Sequence, residues 1–204
     1  MKKYLQLTLQ ITFLALFIIL MITGKVQLWM GLFTLSVLAV FILGRVYCGW
    51  ICPINTVMRG ITRMKKKLHI ENFRIPRWLT KSWIRILVLG LFVAVFVFTM
   101  VSGKKLPVLP VLFAIGAVLT FFFPEELWHR YLCPYGTIMS IPAPKSKHAM
   151  AIEPELCNSC GMCMRVCPAK AVKKSEGHYE ILKKDCIVCM DCSRACKQKS
   201  IGYR

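Results

Sequence analysis

The sequence has few acidic residues and places none of them in its long apolar segments. Aspartate and glutamate total 9, against 28 lysines and arginines, which gives a formal net charge of +19. Four apolar runs, at 4–22, 26–44, 83–102 and 106–124, contain no histidine, aspartate or glutamate. A haem in a membrane needs histidine ligands, and a proton relay needs buried acids. We therefore expect a chain that by itself neither carries electrons across a bilayer nor pumps protons.

No small-residue cleavage site follows the first apolar run, which argues for a retained helix rather than a cleaved signal peptide. A helix that crosses a bilayer needs about 20 apolar residues, and each run is close to that length. Hydrophobic residues make up 56% of the chain, which is too many for an ordinary soluble protein. Short turns at Thr23-Gly24-Lys25 and Gly103-Lys104-Lys105 join the runs in pairs. The sequence thus predicts four transmembrane helices arranged as two hairpins.

Basic residues are distributed unevenly around the predicted spans. The segment 45–81 carries nine lysines and arginines and the N-terminus two, whereas the two short turns carry three. Because lysine and arginine favour the cytoplasmic side of a membrane, we expect both termini and the long loop to face the cytoplasm. The positive charge follows this topology, so we do not expect a nucleic-acid surface.

The long loop contains a predicted amphipathic helix. Four of its apolar residues recur at helical spacing: Val57, Ile61, Met64 and Leu68. The helix is expected either to lie on the inner leaflet with anionic membrane lipid or to carry ordinary positive-inside charge without bound lipid. Four tryptophans fall near the predicted span ends, where interface aromatics are common: Trp29, Trp50, Trp83 and Trp128.

Eight of the eleven cysteines follow a spacing that holds two iron–sulfur clusters. The first run is Cys157, Cys160, Cys163 and Cys167, and the second run is Cys186, Cys189, Cys192 and Cys196. Each run has the bacterial ferredoxin spacing, in which the fourth cysteine binds the other cluster. We therefore predict two 4Fe-4S clusters. One is assigned to Cys157, Cys160, Cys163 and Cys196, and the other to Cys186, Cys189, Cys192 and Cys167.

Zinc and disulfides are the alternatives for these cysteines. Structural zinc sites use two ligand pairs and have no need of a third and fourth cysteine in both runs. Disulfides are rare on the reducing side of a membrane. The two runs also match beyond their cysteines, since Ala171-Val172 is equivalent to Ser200-Ile201. This match indicates an internal duplication.

A second group of potential ligands stands at the predicted cytoplasmic ends of the second and fourth spans. Cys48 and Cys52 belong to a Cys-x3-Cys-Pro motif, and His129 and Cys133 to an equivalent His-x3-Cys-Pro motif. Residues four apart share a face of a helix, so two adjacent helices can bring these four side chains around a metal or a further iron–sulfur centre, where imidazole replaces a thiolate. Glu125 is expected to orient the imidazole. A redox-active Cys48/Cys52 dithiol and a purely structural role remain open.

With paired hairpins, a Cys-Pro motif after the second and fourth spans and a C-terminal double run of cysteines, the chain resembles the membrane polyferredoxins of the NapH, NosR and CcoG type. The resemblance covers almost the whole chain and is nearest to the compact NapH type, which lacks the large additional domains of some relatives. It implies an iron–sulfur electron-transfer protein that serves quinol-linked respiratory reductases or their maturation. The family usually has a cysteine at the position of His129.

The predicted fold is an α-helical membrane protein, with four transmembrane helices as two duplicated hairpins, followed by an α+β bacterial-type ferredoxin domain with two 4Fe-4S clusters. We expect the transmembrane domain at 1–140, a linker at 141–150 and the ferredoxin domain at 151–204.

The expected function is that of a membrane-anchored electron-transfer protein at the cytoplasmic face. It would relay electrons between a quinol or a redox partner subunit and a reductase system, as a subunit rather than as a stand-alone enzyme. One alternative is an accessory factor that reduces a metal or a thiol while a respiratory complex is assembled. Another is a redox sensor, although no DNA-binding helix pair or signalling domain is recognisable.

Overall fold

The structure is a computed structural model that describes residues 2–102, 107–175 and 177–204. The predicted turn at Gly103-Lys104-Lys105 lies outside these residues. The α-helices are α1 (Lys2–Ile22), α2 (Gln27–Leu43), α3 (Pro53–Lys67), α4 (Ser82–Ser102), α5 (Val108–Phe122), α6 (Pro134–Ser140), α7 (Met162–Val166) and α8 (Asp191–Ala195). The strands are β1 (Met150–Ile152), β2 (Val172–Lys174), β3 (Tyr179–Ile181) and β4 (Ile201–Tyr203).

Two of the apolar helices are long enough to cross a bilayer. Lys3–Ile22 in α1 and Ser82–Thr99 in α4 have mean hydropathies of 2.3 and 2.2, and only 17% and 6% of these stretches are buried inside the protein. The core helix of a soluble protein would be mostly buried. α2 and α5 are apolar but have 17 and 15 residues, or about 25 and 22 Å at the usual rise. The structure therefore gives two candidate spans, and the four-span arrangement stays a prediction.

One end of each apolar helix lies towards the C-terminal domain. At the start of α1, the Gln6 amide donates to the backbone oxygen of Cys189 (3.3 Å). At the end of α2, the Tyr203 hydroxyl donates to the backbone oxygen of Leu43 (2.9 Å). Arg85, near the start of α4, pairs with an aspartate of the same domain, and Lys170 accepts a hydrogen bond from the turn that follows α5. The starts of α1 and α4 and the ends of α2 and α5 therefore lie on the same side, as they would in two antiparallel helical hairpins.

Each cysteine–proline motif consists of a π-helical turn followed by a new helix. Tyr47–Ile51 and Leu127–Leu132 are π-helical, whereas Cys52 and Cys133 are extended, with ψ of 118° and 110°. A residue before proline avoids the helical conformation, and proline fits the first position of a helix, so α3 and α6 begin there. The prediction that these ligand pairs share a face of one regular helix is therefore wrong. The same geometry recurs in both motifs.

Helix α3 packs against α5 and α1 with a face that the apolar spacing did not indicate. Ile54 and Met58 are buried on this face together with Lys65. The Lys65 ammonium donates to two carbonyls in the last turn of α5, those of Phe121 (2.8 Å) and Thr120 (3.3 Å). A cation at this end of a helix also interacts favourably with the helix dipole. Of the predicted apolar stripe, Val57 and Ile61 are half-buried, whereas Met64 and Leu68 are exposed.

Three of the four tryptophans pack inside the protein, which corrects the prediction of interface anchors. Trp29 and Trp128 are buried, and the Trp29 indole donates to the Tyr47 hydroxyl (2.8 Å). The Trp50 indole donates to a backbone carbonyl of the C-terminal domain. Of the four, only Trp83 is largely exposed. The aromatic area of the other three, and the indole N–H groups of Trp29 and Trp50, serve tertiary packing, which the distance to a span end does not predict.

The C-terminal domain is built from two similar halves. β1 pairs antiparallel with β4, and β2 pairs antiparallel with β3. In the first half, Ser159 and Gly161 have left-handed backbones, with φ of 56° and 73°, and the equivalent Val188 and Met190 of the second half have φ of 53° and 62°. The duplication is thus visible in the backbone as well as in the cysteine spacing. β1 begins at Met150, the last residue of the predicted linker.

Candidate iron-sulfur sites

The four cysteines assigned to one cluster line a common small cavity with apolar walls. Cys167 joins Cys186, Cys189 and Cys192 around it. Burial and the nearby charge of Cys167 raise the pKa of the Cys186 thiol to about 11. Burial and the charges of Cys186 and Cys167 raise the pKa of the Cys192 thiol to about 12. Burial, with a contribution from Cys167, also raises the pKa of Cys189. The structure therefore brings the last cysteine of the first run together with the three cysteines of the second run around this cavity.

The cysteines assigned to the other cluster are more accessible. Burial raises the pKa of Cys163, and the charges of Cys157 and Cys160 raise it as well, which places the first three cysteines near one another. The Cys196 sulfur lies 3.2 Å from the Ser200 hydroxyl. Cys160 is exposed at the surface.

The backbone between the cysteines has the form of an anion-binding loop. Alternating right-handed and left-handed residues turn successive N–H groups into a concave nest, a geometry that recurs at iron–sulfur sites. Both runs have left-handed residues at equivalent positions, and one of them is the β-branched Val188, for which this conformation is unfavourable. Strain of this kind persists at functional sites. Loop and thiols therefore fit a cluster with anionic thiolate ligands.

No three histidine, cysteine, aspartate or glutamate side chains converge on a single-ion site within the described ranges. A cubane does not require such convergence, because each thiolate binds a different iron atom. When bound, each cluster supplies a carrier for one electron, with a potential that hydrogen bonds and solvent exposure adjust.

The three remaining cysteines gather at the membrane-face motifs. Cys48 and Cys133 are buried, and burial together with the charges of Cys48 and Cys133 strongly raises the pKa of Cys52. Burial and the charge of Cys48 raise the pKa of the Cys133 thiol to about 12. The hydrogen bond from the Gly136 N–H to the Cys133 sulfur (3.3 Å) opposes this rise only in part. A metal that binds here would have to displace thiol protons.

The imidazole of His129 is available as a ligand. It is 6% exposed, and its Nε2 is buried without a hydrogen-bond partner. Burial and the charges of Arg45 and Arg59 lower its pKa to about 3, so the ring stays neutral. The Glu125 Oε2 is likewise buried without a partner, and the predicted contact between Glu125 and His129 is not formed.

Two functional neighbours of Cys48 were missed by the sequence reasoning. The Met139 sulfur lies 3.6 Å from the Cys48 sulfur, and the methionine is fully buried. Arg45 is 1% exposed. Its Nη1 donates to the Lys184 carbonyl (2.8 Å) and its Nη2 lies 3.8 Å from the Cys48 sulfur. The position of Met139 shortly after the second Cys-Pro pair was a usable signal, whereas Arg45 resembled an ordinary positive-inside charge.

The second cysteine run docks directly on the first membrane-face motif. The Trp50 indole donates to the Val188 carbonyl (2.9 Å). The Gln6 and Gln10 amides both donate to the Gly49 carbonyl (3.0 and 2.8 Å), and Gln6 also reaches the neighbouring cysteine run. These contacts join α1, the Cys48 turn and a predicted cluster loop in one buried polar network.

Two family profiles match the chain. One, described as a 4Fe-4S binding domain, matches residues 26–71 and 106–149, and so covers both membrane-face motifs. The other, described as a 4Fe-4S dicluster domain, matches residues 156–201. The first profile therefore matches twice, each time over the second helix of a predicted hairpin and the motif that follows it, as a duplicated unit would. No solved structure matches the chain.

Similar proteins are known in archaea and bacteria. The chain is 30% identical to an uncharacterized protein of Methanocaldococcus jannaschii, over 83% of this chain and 68% of that protein. It is 31% identical to the ferredoxin-type protein NapH of Haemophilus influenzae, over 78% of this chain and 62% of NapH. It is 24% identical to the regulatory protein NosR of Pseudomonas aeruginosa, over 79% of this chain and 25% of NosR.

The chain spans less than two thirds of the length of NapH and a quarter of NosR, so these matches concern the shared iron–sulfur and hairpin segments. Those segments contain every cysteine described above. The chain accordingly belongs to the membrane-associated polyferredoxin-type family, whose members are 4Fe-4S electron-transfer proteins.

Proposed function

We propose that the protein is a membrane-anchored relay that passes electrons at the cytoplasmic face between a quinol or a redox partner subunit and a reductase system. The observation that carries this proposal is the docking of the Cys186–Cys192 run on the Cys48 motif. Trp50 contacts the cluster loop through its indole N–H, and Arg45 contacts both Cys48 and the segment before Cys186. Because the two sites are in fixed contact, electrons can pass between them without a mobile carrier.

The two groups of cysteines have separate roles in this relay. The eight ferredoxin cysteines hold the two clusters in the crossed arrangement. Cys48, Cys52, Cys133 and His129 hold a further iron–sulfur centre at the membrane end, because no three of the described side chains converge on a single metal ion. Arg45 supports this second assignment, because it is buried and forms no ion pair in the part of the chain that the structure covers. A buried cation needs a compensating charge, which a thiolate-ligated centre would supply.

The membrane arrangement is part of the proposal. All four apolar helices span the bilayer, and both termini, the segment 45–81 and the ferredoxin domain face the cytoplasm. The common direction of the helix ends supports it, as does the ion pair between Arg85 at the start of α4 and Asp185 of the ferredoxin domain (3.5 Å). Basic residues concentrate at the same end.

Delivery of electrons from the membrane tests the proposal. Oxidised protein in proteoliposomes is mixed anaerobically with a lipid-soluble quinol, and the bleaching of the iron–sulfur absorbance is followed. The Cys48→Ser/Cys52→Ser variant is expected to lose this reduction because its membrane-end ligands are gone. Dithionite, which reaches the clusters from water, should still bleach the two ferredoxin clusters in both proteins. Reduction of the variant by quinol at the wild-type rate would contradict the entry site.

One observation favours a second candidate function. The Cys48 and Met139 sulfurs lie side by side, and thiolate and thioether donors select soft metals. An accessory factor that reduces or transfers a soft metal while a respiratory complex is assembled would use such a pair. Under that function, Met139→Leu would abolish metal transfer but leave quinol-driven bleaching intact. Under the relay function, the protein copurifies with a mature reductase.

A further inference from the structure

A cavity of about 850 Å³ lies between α1, α3 and the ferredoxin domain. Seven basic and three acidic residues line it. Five of the basic residues stand at its exposed mouth and form no ion pair among the residues that the structure describes: Lys3, Arg63, Lys66, Arg165 and Lys170. They come from three separate parts of the fold, and their charges converge on one opening.

The floor of the cavity has unused hydrogen-bonding groups of both kinds. Arg59 pairs with Asp191 through one nitrogen, while its Nη1 is buried without a partner. Asp191 is also bound by Arg194, so its charge is already compensated. Glu125 is more than nine-tenths buried, and its Oε2 has no partner. Buried groups of this kind are normally satisfied, and a ligand that accepts from Arg59 and donates to Glu125 would satisfy both.

These features select a class of ligand. A phosphate group supplies the negative charge and the acceptor oxygens that the mouth and Arg59 require, and a neighbouring hydroxyl supplies the donor for Glu125. Tyr4 and Leu7 also line the cavity and are exposed. They continue the apolar surface of α1 up to the mouth, so an acyl chain attached to the phosphate has an apolar path to follow.

We propose that this cavity binds a hydroxyl-bearing phosphate ester, of the kind found in the headgroup of an anionic phospholipid, and that the ester ties the ferredoxin domain to α1 and α3. The lipid source rests on the proposed cytoplasmic position of the start of α1. The cavity also borders Cys167, so the bound ester lies beside a predicted cluster ligand. The remaining acidic residue of the lining, Glu126, is half-buried. Its single negative charge does not offset the five cations, so the mouth stays strongly positive.

The test compares two double variants that remove the same charge from the same loop. Arg63→Gln/Lys66→Gln removes two cations of the mouth. Arg74→Gln/Arg77→Gln removes two exposed cations that do not line the cavity. Delipidated, cluster-loaded full-length protein in neutral detergent is titrated with phosphatidylglycerol, phosphatidylcholine and soluble glycerol phosphate, and binding is read from the thermal transition.

The cavity variant is expected to bind phosphatidylglycerol about fivefold more weakly for each charge removed, and the control variant nearly as well as the wild type. Phosphatidylcholine should bind weakly to all three. If soluble glycerol phosphate binds as tightly as phosphatidylglycerol, the site takes a phosphate ester from solution, and the proposal stands without the lipid. Equal losses in the two variants, or no loss in either, would overturn it. Iron and sulfide contents of the same samples test the relay proposal separately.

Discussion

Replacing Gly49 with alanine is expected to loosen the ferredoxin domain from the membrane-face motif. A Cβ at this position would lie 2.3 Å from the Ile187 carbonyl oxygen and 3.1 Å from the backbone of Val188. Neither contact can be relieved by turning a side chain, and a backbone shift would disturb the hydrogen bonds from Gln6 and Gln10. Overpacking of this kind costs about 1–3 kcal/mol. We expect a lower thermal transition, faster proteolysis of the ferredoxin domain and loss of reduction by quinol.

Gly60→Ala is the matched control for this change. Gly60 lies within α3, and nothing stands within 4 Å of the added Cβ. Alanine in a helix interior stabilises by about 0.5–1 kcal/mol relative to glycine, so the control should raise the thermal transition slightly. A Gly49→Ala protein with wild-type proteolysis and electron transfer would show that the docked arrangement is not needed.

The second large effect is expected from Arg45→Gln. The guanidinium of Arg45 lies between the two sites, and its charge partly offsets the burial that raises the pKa of the Cys133 thiol on one side and of the Cys186 thiol on the other. In a buried region of low dielectric constant such a charge acts strongly. A centre becomes more negative when it is reduced, so removing the cation should lower the reduction potentials of the membrane-face centre and of the cluster at Cys186. An EPR-monitored titration measures both.

Two further variants separate charge from packing at this position. Arg45→Lys keeps the cation but cannot reproduce both contacts of the guanidinium, so its potentials should shift less than those of Arg45→Gln. Arg77→Gln removes an exposed cation of the same loop and should leave them unchanged. Loss of the hydrogen bond to Lys184 should also destabilise both Arg45 variants, by about 1.5–3 kcal/mol for the glutamine. Unchanged potentials in a fully loaded Arg45→Gln protein would contradict this role.

The cysteine runs were predictable because their chemistry is local. Thiolate spacing on short loops determines how many iron atoms each run can reach, and the crossed assignment of Cys167 rests on the same spacing. The docking of that run was not predictable. Gln6 and Gln10 resemble tolerated polar residues in an apolar helix, and only the fold shows that both donate to Gly49. Contacts across such separations leave no periodic signal.

The membrane-face motifs show where helical periodicity fails. A spacing of four residues indicates one helix face only when the helix is regular. Here the residue before each proline is forced to be extended, so Cys52 and Cys133 end a π-helical turn instead of continuing it. Glu125 and His129 are also four residues apart, and their predicted contact is not formed. Residue identity therefore indicated candidate ligands, whereas their relative placement depended on local backbone rules and tertiary packing.

The relay requires iron at the membrane-face motifs as well as in the ferredoxin domain. An anaerobic iron and sulfide analysis with EPR tests this requirement most directly. The full-length protein is compared with His129→Ala and Cys48→Ser. Two cubanes account for about eight iron atoms, so the wild type should contain more than eight, and both variants should lose only the excess and its signal. Equal iron in all three proteins, at or below eight atoms, would contradict a centre at the membrane face.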